Sequence, residues 1–384
     1  MTALMASACG STPTVGSAPS PSASPSAVAS PSASPTAANP CPPPSNRCLA
    51  LVTLRGSTHI VVRDITDINH PKTVGGLGAL PSPVGYGPAL EGAFGQFVSG
   101  TELSYIGGPP DANYGIPTSL FRGPLSGSPR TTIVKGTQAV FVFAWNPSGT
   151  AVVYLTSTLA GIKVHQLIAG HDRVLASLPA PGVGGCEVEP CPGPFQNPGD
   201  TWDFRTAYSP DGMSISIAQN GITSFFWILA ADGKVLSSSN PASGSMTVWS
   251  GDGLYFSDSK GIEVWRKGAV SGFLPGVGWI RPKASPDGTH IVYEARDTHG
   301  VAHVFIVDTG TRQVRDLGAA RMEPAFLTSR YIWYQAEPPC VATRKCQAGF
   351  PGIAAGSTYI YDLQDSAESA SVITSVLDAW PHPA

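Results

Sequence analysis

Residues 281–308, RPKASPDGTHIVYEARDTHGVAHVFIVD, decide the fold. Residues 281–284 form a first strand that ends in Ser285-Pro286-Asp287-Gly288, where proline presets φ, aspartate bonds the backbone ahead of it and glycine supplies a positive φ. Residues 290–295 return antiparallel, the loop at 297–300 turns the chain, and residues 303–308 alternate inward and outward side chains. Thr309-Gly310 turns it again towards 313–317. Four short strands in some forty residues are one blade of a propeller.

Working outward, the same pattern recurs. Residues 203–238 repeat it with Ser209-Pro210-Asp211-Gly212, residues 140–178 with Asn146-Pro147-Ser148-Gly149, and residues 246–274 with Ser250-Gly251-Asp252-Gly253. A less regular copy spans 93–137 and turns at Gly100-Thr101. Another runs through 323–327, 331–335, 358–363 and 371–376. At the amino-terminal end, 49–54, 58–64 and 72–77 read as strands b, c and d of a blade lacking strand a, and Asp378-Ala379-Trp380-Pro381 at the other end reads as that missing strand. Joining them closes a ring and removes exposed edges. The fold class is all-β, a seven-bladed β-propeller, with six blades as the alternative.

Composition agrees. The 384 residues include 43 glycines and 37 prolines, 42% are hydrophobic and only 13% charged, a balance rich in breakers of helices. A net charge of -3 gives no basic footprint for nucleic acid. No apolar run approaches the eighteen residues of a membrane-spanning helix. Nine aromatic residues, Trp145, Tyr154, Tyr208, Phe226, Trp249, Trp265, Tyr293, Trp333 and Tyr359, recur at equivalent strand positions, where packing between blades is their expected work.

Three regions follow: 1–9, 10–47 and 48–384. Residues 11–44 are Ser, Pro, Ala and Thr with little to bury, an extended tether. Six of the seven cysteines fall in close pairs, Cys41/Cys48, Cys186/Cys191 and Cys340/Cys346. Their spacing suits three local disulfides better than a zinc site and implies an oxidising compartment. The seventh, Cys9, follows Ala6-Ser7-Ala8 and precedes Gly10-Ser11, which resembles a bacterial lipobox. That resemblance implies lipidation of Cys9 and an extracytoplasmic protein, anchored in the bacterial cell membrane by lipid alone or secreted. Residues 1–8 are short and uncharged for a complete signal peptide, which a start lying upstream accounts for.

The Ser-Pro-Asp-Gly turns at Ser209 and Ser285, with weaker ones at Asn146 and Ser250, resemble the TolB-like propeller repeat, a relative of WD-repeat propellers. The resemblance covers 48–384 and implies architecture more than function, because propellers host binding proteins, hydrolases and lectins. TolB carries an α/β domain before its propeller; here a tether stands in that place, so the translocation partners of TolB are not implied.

For chemistry, no Gly-x-Ser-x-Gly elbow is present. Asp211, Asp252 and Asp287 stand at hairpin turns, where they are expected as turn formers. His299 and His303 are expected as solvated loop histidines rather than a metal pair. The long connections, 78–92, 107–118, 179–202 and 337–357, all join strand d to a or b to c, and therefore emerge on one face. Aligning the copies by their turns places Ala93, Val142, Arg205, Met246, Arg281, Glu323 and Trp380 around the channel mouth on that face. Arg205, Arg281, Glu323 and Trp380 are the candidate binding residues, suited to an envelope protein or a small anionic ligand. No catalytic residue, metal or cofactor is expected, and the chain reads as a monomeric, non-catalytic binding scaffold. The alternative is a lactonase-like or lyase-like enzyme with a metal in the channel, which needs several inward carboxylates, asparagines or histidines.

Overall fold

A computed structural model describes residues 41, 46–55, 57, 59–79, 95–110, 117–136, 138, 140–158, 161–179, 204–219, 225–239, 246–337 and 357–382. The chain divides into residues 1–38, which lie outside that set, and a unit from Asn39 to Ala384. Seven four-stranded antiparallel sheets make up that unit.

Blade 1 is made from both ends of the chain: Ile373–Trp380 is strand a, and Leu49–Leu54, His59–Asp64 and Lys72–Ala79 are b, c and d. Blade 2 comprises Gly95–Ser99, Glu102–Pro110, Pro117–Pro124 and Thr131–Lys135. Blade 3 comprises Val142–Trp145, Ala151–Thr158, Gly161–Ile168 and His171–Pro179, and blade 4 Phe204–Tyr208, Ser214–Gln219, Phe225–Ala230 and Val235–Ser239. Blade 5 runs through Val248–Ser250, Gly253–Asp258, Gly261–Arg266 and Ala269–Pro275, and blade 6 through Ile280–Ala284, His290–Arg296, Ala302–Asp308 and Val314–Ala319. Arg321–Phe326, Tyr331–Ala336, Thr358–Asp362 and Ala367–Ser371 complete blade 7.

The inner strands are apolar on both faces, and each face packs on a different neighbour. Leu49 and Leu51 lie with Phe97 and Leu103 of blade 2, whereas Ala50 and Val52 lie with Leu327 and Trp333 of blade 7. Tyr255 joins Ile291 and Tyr293 of blade 6, while Leu254 and Phe256 join Phe226 of blade 4. A period of two buried on both sides is what a sheet packed between two sheets requires. Three further clusters join blades 2 and 3, 3 and 4, and 6 and 7. Seven seams therefore close the ring, and all nine recurrent aromatics sit in or against them.

The turns behave as their residues dictate. Asp287 Oδ1 accepts from Ser285 Oγ at 2.6 Å and from the Thr289 N–H at 3.1 Å, and Gly288 takes φ 68°. Asp211 repeats this with Ser209 and Met213, and Asn146 Oδ1 accepts the Thr150 N–H at 2.9 Å. Asp252 instead holds Arg266, with Oδ1 2.8 Å from Nε. His303 departs from the expected solvated histidine: the second residue of strand c of blade 6, it is mostly buried and lies 2.9 Å from Asp316.

Closure occurs as the two orphan pieces require, with Leu49 opposite Trp380 and Leu54 opposite Ile373. The boundary before it is earlier than the apolar pattern of 371–376 suggests. Asp362 Oδ1 accepts the N–H groups of Gln364 and Asp365, making a tight turn, so strand d of blade 7 is Ala367–Ser371. Ser371 Oγ then accepts the Ile373 N–H at 3.0 Å, and strand a begins at once. Cys41 and Cys48 are joined by a disulfide and buried at the seam of blades 7 and 1. Cys9, Cys186, Cys191, Cys340 and Cys346 lie outside the described residues.

Candidate functional site

The first strands of blades 6 and 7 carry the same local device. Arg281 and Glu323 each precede a proline, each sits at a break in register, between Ile280 and Lys283 and between Met322 and Ala325, and each has a left-handed backbone, φ 51° and 56°. A residue before proline ordinarily takes an extended conformation, and a non-glycine residue at positive φ is uncommon. Two equivalent positions on adjacent blades are held there against that preference, as sites of stored strain are.

What holds them is an ion-pair chain across the seam. Arg281 Nη1 lies 2.6 Å from Glu323 Oε1 and 3.9 Å from Glu294 Oε2. Glu294, on strand b of blade 6, is 2% exposed and accepts the Glu323 N–H at 3.1 Å. Its other oxygen lies 3.3 Å from Arg296 Nη2, and Arg296 Nη1 reaches Glu337 Oε1 at 2.6 Å. Glu337 Oε2 accepts the Ala302 N–H at 2.9 Å. Burial pushes the Glu294 carboxyl above the usual carboxylate range, opposed by the Glu323 N–H, Arg281 and Arg296 and reinforced by Glu337. Met246 joins from blade 5, its Sδ 2.9 Å from the Arg281 nitrogen.

Of the positions expected around the mouth, Met246, Arg281 and Glu323 are thus brought together. Arg205 is the second residue of strand a of blade 4, opposite Ala218, and is partly exposed. Val142 is the first residue of strand a of blade 3 and is buried in the core between blades 3 and 4, and Ala93 lies outside the described residues. Trp380 is a correction. Strand a of blade 1 starts at Ile373, so Trp380 is at its far end, packed in the seam of blades 1 and 2, and a Cβ built on Gly100 meets its Nε1 at 3.1 Å. Gly100 belongs to the a-to-b hairpin of blade 2, which puts Trp380 on the short-turn face.

Glu294, Arg296 and Glu337 were not singled out by the sequence reading. A faint signal exists for two of them: Glu294 and Arg296 are two apart at the end of a strand whose preceding residues, Ile291, Val292 and Tyr293, are all buried. Two charges on one face there need partners from the next blade.

No family model matches the chain, and no curated protein matches it. Among solved structures, it is similar to a candidate 6-phosphogluconolactonase from Bacteroides fragilis, at 12% identity and a TM-score of 0.50 over 87% of this chain and 97% of that one. Others are TolB from Acinetobacter baumannii, at 13% identity and TM-score 0.43 over 86% and 81%, and an oligogalacturonate lyase from Vibrio parahaemolyticus, at 8% and 0.49 over 85% and 84%. Similarity at this level concerns the β-propeller fold, which enzymes and non-enzymes share.

Proposed function

We propose that the chain is an extracytoplasmic lipoprotein, tethered through Cys9, whose propeller is a non-catalytic scaffold that binds an envelope protein or a small anionic ligand at the channel mouth of its long-loop face. The carrying observation is the chain Glu323, Arg281, Glu294, Arg296, Glu337. Each carboxylate in it already accepts a guanidinium or a backbone N–H. A metal-dependent enzyme would need such carboxylates for its cation, and general-base work would need one poised towards substrate. Here they build a fixed polar frame across blades 6 and 7, suited to presenting a rigid surface. The buried Cys41–Cys48 disulfide fits an oxidising compartment.

The test uses the full chain, tagged on the tether, to capture partners from an envelope extract. Capture of a defined species that is lost in Arg205→Ala, at unchanged melting temperature, supports the reading. Stoichiometric calcium or zinc in the purified protein, or capture indifferent to Arg205→Ala, overturns it.

A further inference from the structure

Each blade ends in an outer strand d, and among the described residues the edges of six blades are guarded. An open edge offers unpaired N–H and C=O groups to any extended chain, and charge, proline or a covering turn is what prevents it. Strand d of blade 1 donates its Gly76 N–H to Leu125 O, in the c-to-d turn of blade 2, at 2.8 Å. Blade 2 carries Lys135, blade 3 Asp172 and Arg173, blade 6 Arg315 and Asp316, and blade 7 Glu368. Blade 5 ends in Pro275, and the Arg312 guanidinium of blade 6 lies 5.6 Å over its Phe273.

The exception is Val235–Ser239 of blade 4, VLSSS, which has neither charge nor proline. Val235 and Leu236 are 47% and 40% exposed. Among the described residues, no backbone group of 235–239 bonds outside its own sheet. The register break at Leu236 is no guard peculiar to this edge, because strands c and d of blades 1, 2, 3, 5 and 6 share one. In blades 2, 4 and 6 the c-to-d turn lies on the edge of the blade before: Leu125 on Gly76, Ala231 O 3.3 Å from Arg173 Nη2, and Arg312 on Phe273. The turn that follows blade 4 is Lys267-Gly268, and a Cβ built on that glycine meets nothing within 4 Å.

We propose that strand d of blade 4 accepts an extended segment of a partner protein as a fifth strand, antiparallel to Val235–Ser239, with acidic residues at the carboxy-terminal end of that segment. Backbone bonds supply the affinity, and Ser237, Ser238 and Ser239 are small enough to leave room for β-branched side chains of the incoming strand. The flanks set the charge. Lys234 precedes the strand and Lys267 stands in the turn beyond it; both are exposed, and neither is in an ion pair among the described residues. Nearby carboxylates are engaged: Asp232 accepts the Lys234 N–H at 3.0 Å, and Asp252 holds Arg266 at 2.8 Å. An antiparallel segment brings its carboxy-terminal end to Lys234, so acids placed there meet two unpaired cations. The same strand of a second copy would bring no acid to that end, since residues 235–245 contain none. This edge lies on the outer rim, apart from the channel mouth.

The test titrates the full chain with the acetylated, amidated peptides TVTVTVEE, TVTVTVKK and TVTPTVEE, reading binding by calorimetry and backbone hydrogen exchange by mass spectrometry. Expected is saturable binding of TVTVTVEE, about tenfold or more tighter than TVTVTVKK and absent with TVTPTVEE, whose proline cannot complete the ladder. Exchange should slow in residues 235–239 and in no other strand d. The double variant Lys234→Glu with Lys267→Glu, at two exposed positions, should reverse the preference between the charged peptides. The proposal fails if TVTVTVEE does not bind saturably up to millimolar concentration, if the slowed exchange belongs to another edge, or if charge reversal leaves the preference unchanged. It fails equally if residues 235–239 become protected as protein concentration rises without peptide, which would assign the edge to a second copy.

Discussion

Asp378, on the closing strand, accepts the N–H of Phe97 in the neighbouring blade at 2.7 Å and holds His382 with the same oxygen, 2.9 Å from Nε2. One carboxylate thus ties the last strand of the chain to both its own terminus and blade 2. Burial opposes charging His382, but the Asp378 charge and hydrogen bond outweigh it and the imidazole pKa is raised. A raised histidine pKa means that protonation favours the folded state. The stabilisation is fully present below the unfolded value of about 6.5 and is lost as pH rises through the folded value. Melting curves of the parent and His382→Asn should differ most near pH 5.5 and converge in mildly alkaline buffer. A difference that grows with pH would contradict the assignment.

Ending the chain after Ser371 removes the whole of strand a of blade 1 and bares the edge of Leu49–Leu54. An uncovered edge strand recruits other chains. The truncated protein should lose its cooperative denaturant transition and run as higher oligomers in size exclusion. Retention of a monomeric, parent-like transition would show that closure is dispensable.

Arg281→Ala should lower stability by about 2 kcal/mol, since it takes from Glu323 the guanidinium at 2.6 Å and leaves the buried Glu294 with Arg296 and the Glu323 N–H alone. Arg281→Gly should lose less. Alanine at φ 51° retains the left-handed penalty of about 1–2 kcal/mol, which glycine escapes. Urea titrations of both variants read this directly, and the usual order, alanine above glycine, would mean that the backbone relaxes on losing the guanidinium.

Replacing Cys41 and Cys48 together by serine should cost about 2.5 kcal/mol on the chain-entropy account, plus the burial of two hydroxyls among apolar neighbours. Thermal melts with and without reductant measure it. A parent insensitive to reductant, with a variant melting at the same temperature, would make the bridge incidental.

Most of the architecture could be read because propeller turns are local chemistry. Ser285, Asp287 and Gly288 each have a job within four residues, and the orphan strand at Leu49 announced its distant partner. Trp380 was misplaced because the strand before it was read from apolar residues, whereas Asp362 sets the preceding turn and so the register. Val372, apparently a strand interior residue, is 59% exposed. Glu294 was hidden for another reason: a buried charge is meaningful only through partners on other strands, and no spacing within its own strand names Arg281 or Glu323.

The bond between Thr53 and Thr374 spans 321 residues. While the chain is being made, the first sheet therefore exists as three strands with an open edge until residues 373–380 appear. Contacts so distant in sequence form late and slow the search for the native state. Until residues 373–380 are made, the unfinished edge at Leu49–Leu54 is the surface that a folding assistant would have to cover.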